Sequence, residues 1–430
     1  MSQVQKPKKG YKSVPWLFGK EIEIPEEWEV KKIDYVIKMI QSGISRLLSS
    51  TDIGYVIATS GNIQNGQFDI SDLKYWHKID TQGVDLQKYI LNDNDILLNF
   101  INSLARIGKS CIFKKQKRDW IFTTNIFRIR SNDKSTQQFL SYILNTNFTM
   151  NQINAITQPA INQASFSQGS FKKIKILIPP LPEQQQIASI LSNVDSLIES
   201  TSKIIENSKS LKTGLMQKLL TRGISHTKFK KVPWLFGKEI EIPEDWEVKE
   251  LEKFSNIIMG MSPPSESYNK NQEGLPFYQG VTDFGENYPN TTIWCSDPKK
   301  IAEKDQILFS VRAPVGETNI TKEQSCLGRG VCSINPLENE LMYCYFLISY
   351  FKKQFVVYAQ GTTYDAINRN EIVGTRLPFT SNKKEQQKIA TILSNIDAQI
   401  NSQTQYKEKL ERLKKSLMQK LLTGEVRVAI

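Results

Sequence analysis

The side chains best suited to bond-making chemistry are scarce in this chain. Among 430 residues there are two histidines, His77 and His226, and five cysteines, Cys111, Cys295, Cys326, Cys332 and Cys344. Two histidines leave little for general-base catalysis or for a metal centre. The cysteines form no CxxC pair, and no histidine sits near two of them. An odd number of scattered cysteines reads as reduced thiols, the usual state in a cytosolic protein. Gly108-Lys109-Ser110 ends like a phosphate-binding loop, but Ser103 stands where such a loop needs its first glycine. No glycine-rich cofactor loop follows a strand. Neither Pro179-Pro180 nor Pro263-Pro264 follows the Asn or Asp of a methyltransferase motif. The chain is expected to hold no catalytic residue, no metal and no cofactor.

What remains is charge. The formal net charge is +12, from 56 basic and 44 acidic side chains. An excess of this size points to a polyanion partner, with nucleic acid first. The apolar fraction, 39%, allows sizeable cores, and the length suggests two domains. No run approaches the ~18 apolar residues of a membrane span. The first residues, MSQVQKPKKGYK, lack an apolar signal region, so a cytoplasmic protein is expected.

Two internal repeats must position whatever binds. Residues 183–198 read EQQQIASILSNVDSLI and residues 385–400 read EQQKIATILSNIDAQI, with 11 of 16 positions identical at an offset of 202. LMQKLLT then recurs unchanged at 215–221 and 417–423. Both stretches carry apolar residues in alternating steps of three and four, the pattern of a helix that faces a partner helix. In the first copy these are Ile187, Ile190, Val194, Leu197, Thr201, Ile204, Ser208, Leu211 and Leu215. In the second they are Ile389, Ile392, Ile396, Gln399, Gln403, Tyr406, Leu410, Leu413 and Leu417. Prolines precede the first helix. Gly223 and Gly424 stand where left-handed caps would end the two helices. Two matching seams in one chain predict an intramolecular pair of rods, with Thr201, Ser208, Gln399 and Gln403 weakening the middle. The rods carry +1 (183–223) and +2 (385–425), so +9 lies elsewhere.

The second repeat precedes each globular region. VPWLFGKEIEIPEEWEVKKI at 14–33 recurs as VPWLFGKEIEIPEDWEVKEL at 232–251, with 17 of 20 positions identical. Trp28 and Trp246 read as anchors at the start of a domain. Between the repeats lie dissimilar inserts. In the first, residues 55–59, 95–100 and 174–178 read as strands and 135–144 as a helix. Residues 110–113 and 120–129 read as a hairpin whose tip is Lys114 to Arg118. In the second, residues 305–311 and 331–334 read as strands and 341–358 as a helix. Arg312-Ala313-Pro314-Val315-Gly316 corresponds to Ala105-Arg106-Ile107-Gly108, and Ala366-Ile367-Asn368 to Ala160-Ile161-Asn162. The organisation is a first head at 1–182, a helix at 183–223, a second head at 224–384, then a helix and tail at 385–430.

This order of features resembles the specificity subunit of type I restriction–modification enzymes. The matching pieces are IPxxW at 24–28 and 242–246, DQILFSVRAPVG at 305–316, PPLPEQQQIASIL at 179–191 and LMQKLLTG at 417–424. The resemblance implies an α+β chain in which two mixed α/β target recognition domains are separated by two long helices. Those helices form an antiparallel intramolecular coiled coil with pseudo-twofold symmetry. It also implies double-stranded DNA as ligand, each domain reading one half of an asymmetric bipartite site. It implies further that two methyltransferase subunits dock on the helices, that restriction-translocation subunits can join the assembly, and that the chain itself is a non-catalytic subunit. The first insert departs from the pattern, because Phe100-Ile101-Asn102, or a stretch near it, stands in place of Ser310-Val311-Arg312, which leaves its base-reading loop poorly placed.

Base edges are read by Arg or Lys at guanine and Asn or Gln at adenine, while other basic groups hold phosphates. Polar and basic residues in turns beside strands are therefore the candidate contacts. In the first head these are Arg46, Asn62, Gln64, Asn102, Ser103, Arg106 and Lys109. Lys114, Lys115, Lys117 and Arg118 suit phosphate. In the second they are Tyr278, Gln279, Ser310, Arg312, Arg329, Thr362, Thr363 and Tyr364. Two other readings stay open: a coiled-coil adaptor with two protein-binding heads, and a stand-alone DNA-binding regulator.

Overall fold

The computed structural model describes residues 8–16, 21–64, 66–80, 82–161, 163–234, 237–359 and 366–429. The chain divides into two compact units. One holds residues 1–200 and 407–430, the other residues 201–406. This division cuts through both long helices, Leu181–Arg222 of 42 residues and Lys383–Leu421 of 39. Each unit is thus a head together with half of each helix, rather than a head beside intact rods.

Each unit opens with a two-stranded hairpin, Tyr11–Pro15 with Glu21–Pro25 in one and Phe229–Pro233 with Glu239–Pro243 in the other. The repeated tryptophans follow directly, and both are fully buried. In the first unit Trp28 Nε1 donates to Glu183 Oε2 at 2.9 Å. In the second, Trp246 Nε1 donates to Glu385 Oε2 at 3.0 Å. An indole N–H needs an acceptor when buried, and both glutamates sit in the first turn of a long helix. The two sequence repeats are therefore two sides of one joint.

Helix ends close the same joint. Gly223 and Gly424 adopt φ of +62° and +76°, as their cap positions predict. A Cβ on Gly223 would lie 2.4 Å from Glu385 Oε1, and one on Gly424 would lie 2.5 Å from Pro25 Cδ. Conformation and space both demand glycine there.

In each unit the helix halves run antiparallel. Lys414 Nζ meets Asp195 at 2.6 Å in the first unit, and Lys212 Nζ meets Asp397 at 2.5 Å in the second. The seam differs from the expected one. Ile187, Val194, Thr201 and Ser208 are buried, but Leu197, Ile204 and Leu211 are 45%, 43% and 56% exposed. Leu191 and Ile198 are buried in their place. On the second helix Ile389, Leu393, Ile400 and Leu410 are buried while Ile392, Tyr406 and Leu413 are exposed. A heptad of apolar residues fits either phase, and tertiary packing selected the phase that also covers Leu191 and Leu393 under the heads.

Each head has its own four-stranded sheet, built in the same order. In the first unit the order is Ser110–Ile112, Ile96–Asn99, Ile126–Ser131, Ile37–Ser42, all antiparallel. In the second it is Thr318–Ile320, Ile307–Ser310, Val331–Asn335, Asn256–Met259. The expected hairpin around Lys114–Arg118 does not form. Ser110–Ile112 pairs with Ile96–Asn99, whereas Trp120–Phe122 runs parallel to Gly54–Ala58 in a separate sheet. Both faces of Trp120-Ile121-Phe122 are apolar, and they fill two clusters: Val56, Phe113 and Leu97 on one side, Ile44, Ile57 and Leu86 on the other. The helix expected at 341–358 is two, Leu341–Tyr350 and Lys352–Ala359. A second helix, Asn147–Ile156, follows Gln137–Leu144 in the first head. No helix among the described residues is long and apolar enough to cross a membrane.

Candidate nucleic-acid interface

In the second unit the strand Ile307–Ser310 ends in a pinned turn. Ser310 is fully buried; its Oγ donates to the Pro314 carbonyl at 2.7 Å and accepts from Glu317 N at 2.9 Å. Gly316 N returns to the Ser310 carbonyl at 3.0 Å. Val311 N donates to the Gly330 carbonyl at 2.9 Å, which ties this turn to Gly328-Arg329-Gly330. The second turn is pressed against the end of strand Leu275–Tyr278. Gly328 N donates to the Tyr278 carbonyl at 2.8 Å, and a Cβ on Gly330 would lie 2.0 Å from the Gln279 carbonyl. Asp283 Oδ2 accepts from Gln279 N at 2.6 Å and Gly280 N at 3.2 Å, which fixes the third turn.

These three turns surround an open recess of about 440 Å³, lined by Ser262, Gln279, Thr282, Arg312, Pro314 and Arg329 among others. Arg312, Arg329 and Gln279 are exposed. Arg329 Nε donates to Ser262 Oγ at 2.8 Å, and among the described residues neither terminal amino group is bonded. Ser262 and Thr282 were not expected here. Nothing local marks them, because the strand pairing alone brings residues 262, 282, 312 and 329 together.

Backbone hydrogen bonds locate the equivalent place in the first unit. Gly108 N to Asn99 O (2.8 Å) matches Gly316 to Ser310; Phe100 N to Asn125 O (3.2 Å) matches Val311 to Gly330. Thr123 N to Ala58 O (3.0 Å) matches Gly328 to Tyr278, and Ile126 N to Thr123 O matches Val331 to Gly328, both at 3.2 Å. Ile101 therefore stands where Arg312 does, Thr124 where Arg329 does, and Thr59 where Gln279 does. The counterpart of Ser310-Val311-Arg312, expected at or near Phe100-Ile101-Asn102, is Asn99-Phe100-Ile101, one residue earlier. Ala366-Ile367-Asn368 matches Ser165-Phe166-Ser167 rather than Ala160-Ile161-Asn162. Ile101 pairs with Ser165 as Arg312 pairs with Ala366, and Ser167 and Asn368 both cap a short helix. Asn162 lies outside the described residues.

The other expected contacts are placed as follows. In the first head Ser103 and Arg106 are exposed on the loop between Asn99 and Gly108, which is three residues longer than its counterpart; Lys109 is half-buried. Asn102 accepts from Ser103 N at 2.8 Å, and its Nδ2 is enclosed. Asn62 is buried and satisfied on both sides: Oδ1 accepts from Thr59 N and Oγ1, and Nδ2 donates to the Asp69 and Asp72 carbonyls. It shapes a turn instead of facing outward. Gln64 bonds Asp69 at 3.0 Å. Arg46 closes bidentately on Asp80 at 2.7 and 2.9 Å, and that guanidinium holds the Asp80 carboxyl well below the usual carboxylate range. Arg118 closes on Asp52 and on the Gly54 carbonyl. Lys114, Lys115 and Lys117 are exposed, as phosphate contacts would need to be. In the second head Tyr278 is buried, its hydroxyl 2.9 Å from Thr291 Oγ1. Ser310 is likewise internal to its turn. Thr362, Thr363 and Tyr364 lie outside the described residues.

The family description "Type I restriction modification DNA specificity domain" matches the chain twice, over residues 25–208 and 243–412. A putative type I restriction enzyme MjaX specificity subunit from Methanocaldococcus jannaschii is 39% identical over 413 residues, 94% of this chain and 95% of that one. The MjaVIII specificity subunit of the same organism is 28% identical over 434 residues, 95% of each chain. The crystal structure of a type I restriction–modification S subunit from M. genitalium superposes with a TM-score of 0.60 at 16% identity, over 92% of this chain and 96% of that one. A chain from a structure of type I R-M complex assembly and conformational transition gives 0.56 at 21%, over 94% and 99%. With two recognition modules on one repeated frame, and relatives matched along almost their whole length, the chain belongs to the type I restriction–modification DNA specificity family.

Proposed function

We propose that this chain is the sequence-reading subunit of a type I restriction–modification complex and does no chemistry itself. Each head reads one half of an asymmetric bipartite site in double-stranded DNA. The observation that carries this is the repeated turn frame with different side chains: Arg312, Arg329 and Gln279 in one unit, Ile101, Thr124 and Thr59 at the equivalent places in the other. One scaffold with two chemistries suits two unlike half-sites. The net charge of +12 supports binding to the phosphate backbone.

The long helices set the spacer between half-sites and dock two methyltransferase subunits, to which restriction-translocation subunits add. Ile204, Leu211, Ile392 and Tyr406, exposed on the helix halves of the second unit, are suited to such docking. The complex works in the cytoplasm, where its DNA is.

Sequencing of methylated bases in cells with and without this gene, with the partner methyltransferase expressed, tests the reading. A single bipartite motif that depends on the gene is the expected result; an unchanged methylome overturns it. A steep fall of duplex affinity with salt, expected for phosphate neutralisation, separates it from a protein-binding adaptor.

A further inference from the structure

We propose that the Arg312–Arg329 recess takes the major-groove edge of a guanine. The half-site read by the second unit then requires a G·C pair, and the equivalent place in the first unit does not select guanine. The inference rests on the sequence-reading role above and adds the base class.

Three observations lead to it. First, among the described residues no carboxylate pairs with either guanidinium. Arg46, Arg118 and Arg130, by contrast, each close on an aspartate, Arg130 at 2.9 Å from Asp95 Oδ2. Asp283, beside the recess in sequence, accepts from the Gln279 and Gly280 amides. Among the described residues the recess therefore presents donors that no carboxylate neutralises.

Second, Arg329 is held in place. Arg329 is flanked by Gly328 and Gly330; a Cβ on Gly330 would lie 2.0 Å from the Gln279 carbonyl, so that position must be glycine, and one on Gly328 would sit tightly against Gln279 and Phe277 at 3.0 to 3.1 Å. Its Nε is fixed on Ser262 at 2.8 Å, leaving a two-pronged fork facing outward. A side chain ordered before binding loses less entropy on binding.

Third, guanine offers two acceptors, O6 and N7, in the major groove. Adenine and cytosine each place an amino donor there, and thymine one acceptor with a methyl group. A fork of N–H donors with no acceptor of its own is matched by guanine and opposed by the amino groups. Ile101 and Thr124, at the corresponding places in the first unit, supply no such fork. A phosphate would also satisfy an arginine, so the test must separate the two.

The full chain is assembled with its methyltransferase subunits, and the methylated motif is determined for the wild type, R312K, R329K and S262A. Lysine keeps the charge but loses the fork, and unchanged thermal melting shows that the fold is intact. The expected result is a motif with a G·C pair in one half. R329K and R312K relax the requirement at that pair by roughly 10- to 100-fold and leave the other half unchanged; S262A has a smaller effect in the same half. Three results overturn the proposal: a half-site with no G·C pair that responds to these substitutions, no change of preference in either half, or equal weakening on every duplex, the signature of a phosphate contact. If the wild type marks no bipartite motif at all, it is the sequence-reading role that fails.

Discussion

Trp246 and Glu385 are 139 residues apart, yet the indole Nε1 donates to the carboxylate at 3.0 Å inside the second unit. Three more donors converge on that carboxylate: Ile224 N at 2.9 Å, His226 Nε2 at 2.7 Å and Thr380 Oγ1 at 3.0 Å. The head's opening segment, its closing strand, the end of one long helix and the start of the other all meet at one side chain. Replacing Trp246 by Phe keeps most of the apolar volume and removes the N–H. Unfolding should become easier by about 2–3 kcal/mol, read from denaturant midpoints. Trp28→Phe should act alike in the first unit.

The same joint predicts a pH dependence. Burial raises the Glu385 carboxyl, but the Ile224 amide, His226, Trp246 and Thr380 outweigh it and hold the group below the usual carboxylate range. A carboxyl lowered in the folded state contributes stability above its unfolded pKa, and that stability is lost as pH falls through the folded value. Melting temperature should therefore drop on acidification below the ordinary carboxylate range. Glu385→Gln should lower the neutral-pH melting temperature and flatten that part of the profile; an unchanged profile would refute the assignment.

The two joints differ in the side chain that bridges their carboxylates. In the first unit Arg427 bridges Glu183 (2.6 and 2.9 Å) and Glu27 (2.8 Å). In the second the equivalent carboxylates, Glu385 and Asp245, are bridged by His226 at 2.7 and 3.3 Å. Arg427→Met leaves the fully buried Glu183 without its counter-charge. The expected cost is about 2–4 kcal/mol. Urea unfolding that resolves the two units should place the loss in the first.

The helix ion pairs are copies of one another but are not equally embedded. Asp195 accepts from Tyr142 Oη at 2.7 Å in addition to pairing with Lys414, and burial beside Asp195 pushes the Tyr142 hydroxyl up. At Asp397, paired with Lys212, no tyrosine hydroxyl donates to the carboxylate among the described residues; Lys212 lies over the Phe346 ring at 5.3 Å. Asp195→Ala should destabilise by about 1–2 kcal/mol more than Asp397→Ala. Tyr142→Phe should remove most of the difference in a double-mutant cycle.

Glycine positions give opposite signs. A Cβ on Gly214, inside the first long helix, meets nothing within 4 Å, so Gly214→Ala should stabilise by about 0.5–1 kcal/mol. A Cβ on Gly260 would lie 2.0 Å from the Gly328 carbonyl, directly behind Arg329. Gly260→Ala should destabilise the second unit and disturb the recess; calorimetry distinguishes the two outcomes.

The sequence by itself determined the repeated frame. Heptad spacing, glycine caps and the paired IPxxW and EQQ segments are local or duplicated signals, and a helix can be recognised from its own period. It also marked Gln279, Arg312 and Arg329 through their flanking glycines and prolines. What only the tertiary structure decided is where side chains point once distant strands pair. Apolar residues at heptad spacing do not say which phase is covered: the spacing puts Leu197, Ile204 and Leu211 in the seam, and packing buries Leu191 and Ile198 there. Asn62, Tyr278 and Ser310 have the polarity of surface contacts but are enclosed by residues that no local rule associates with them. The counterpart of Arg312 in the first head became visible only through backbone hydrogen bonds, because a three-residue longer loop shifts the alignment. Ile101, Thr124 and Thr59 look like ordinary residues until the sheet places them where the second head keeps its guanidinium groups.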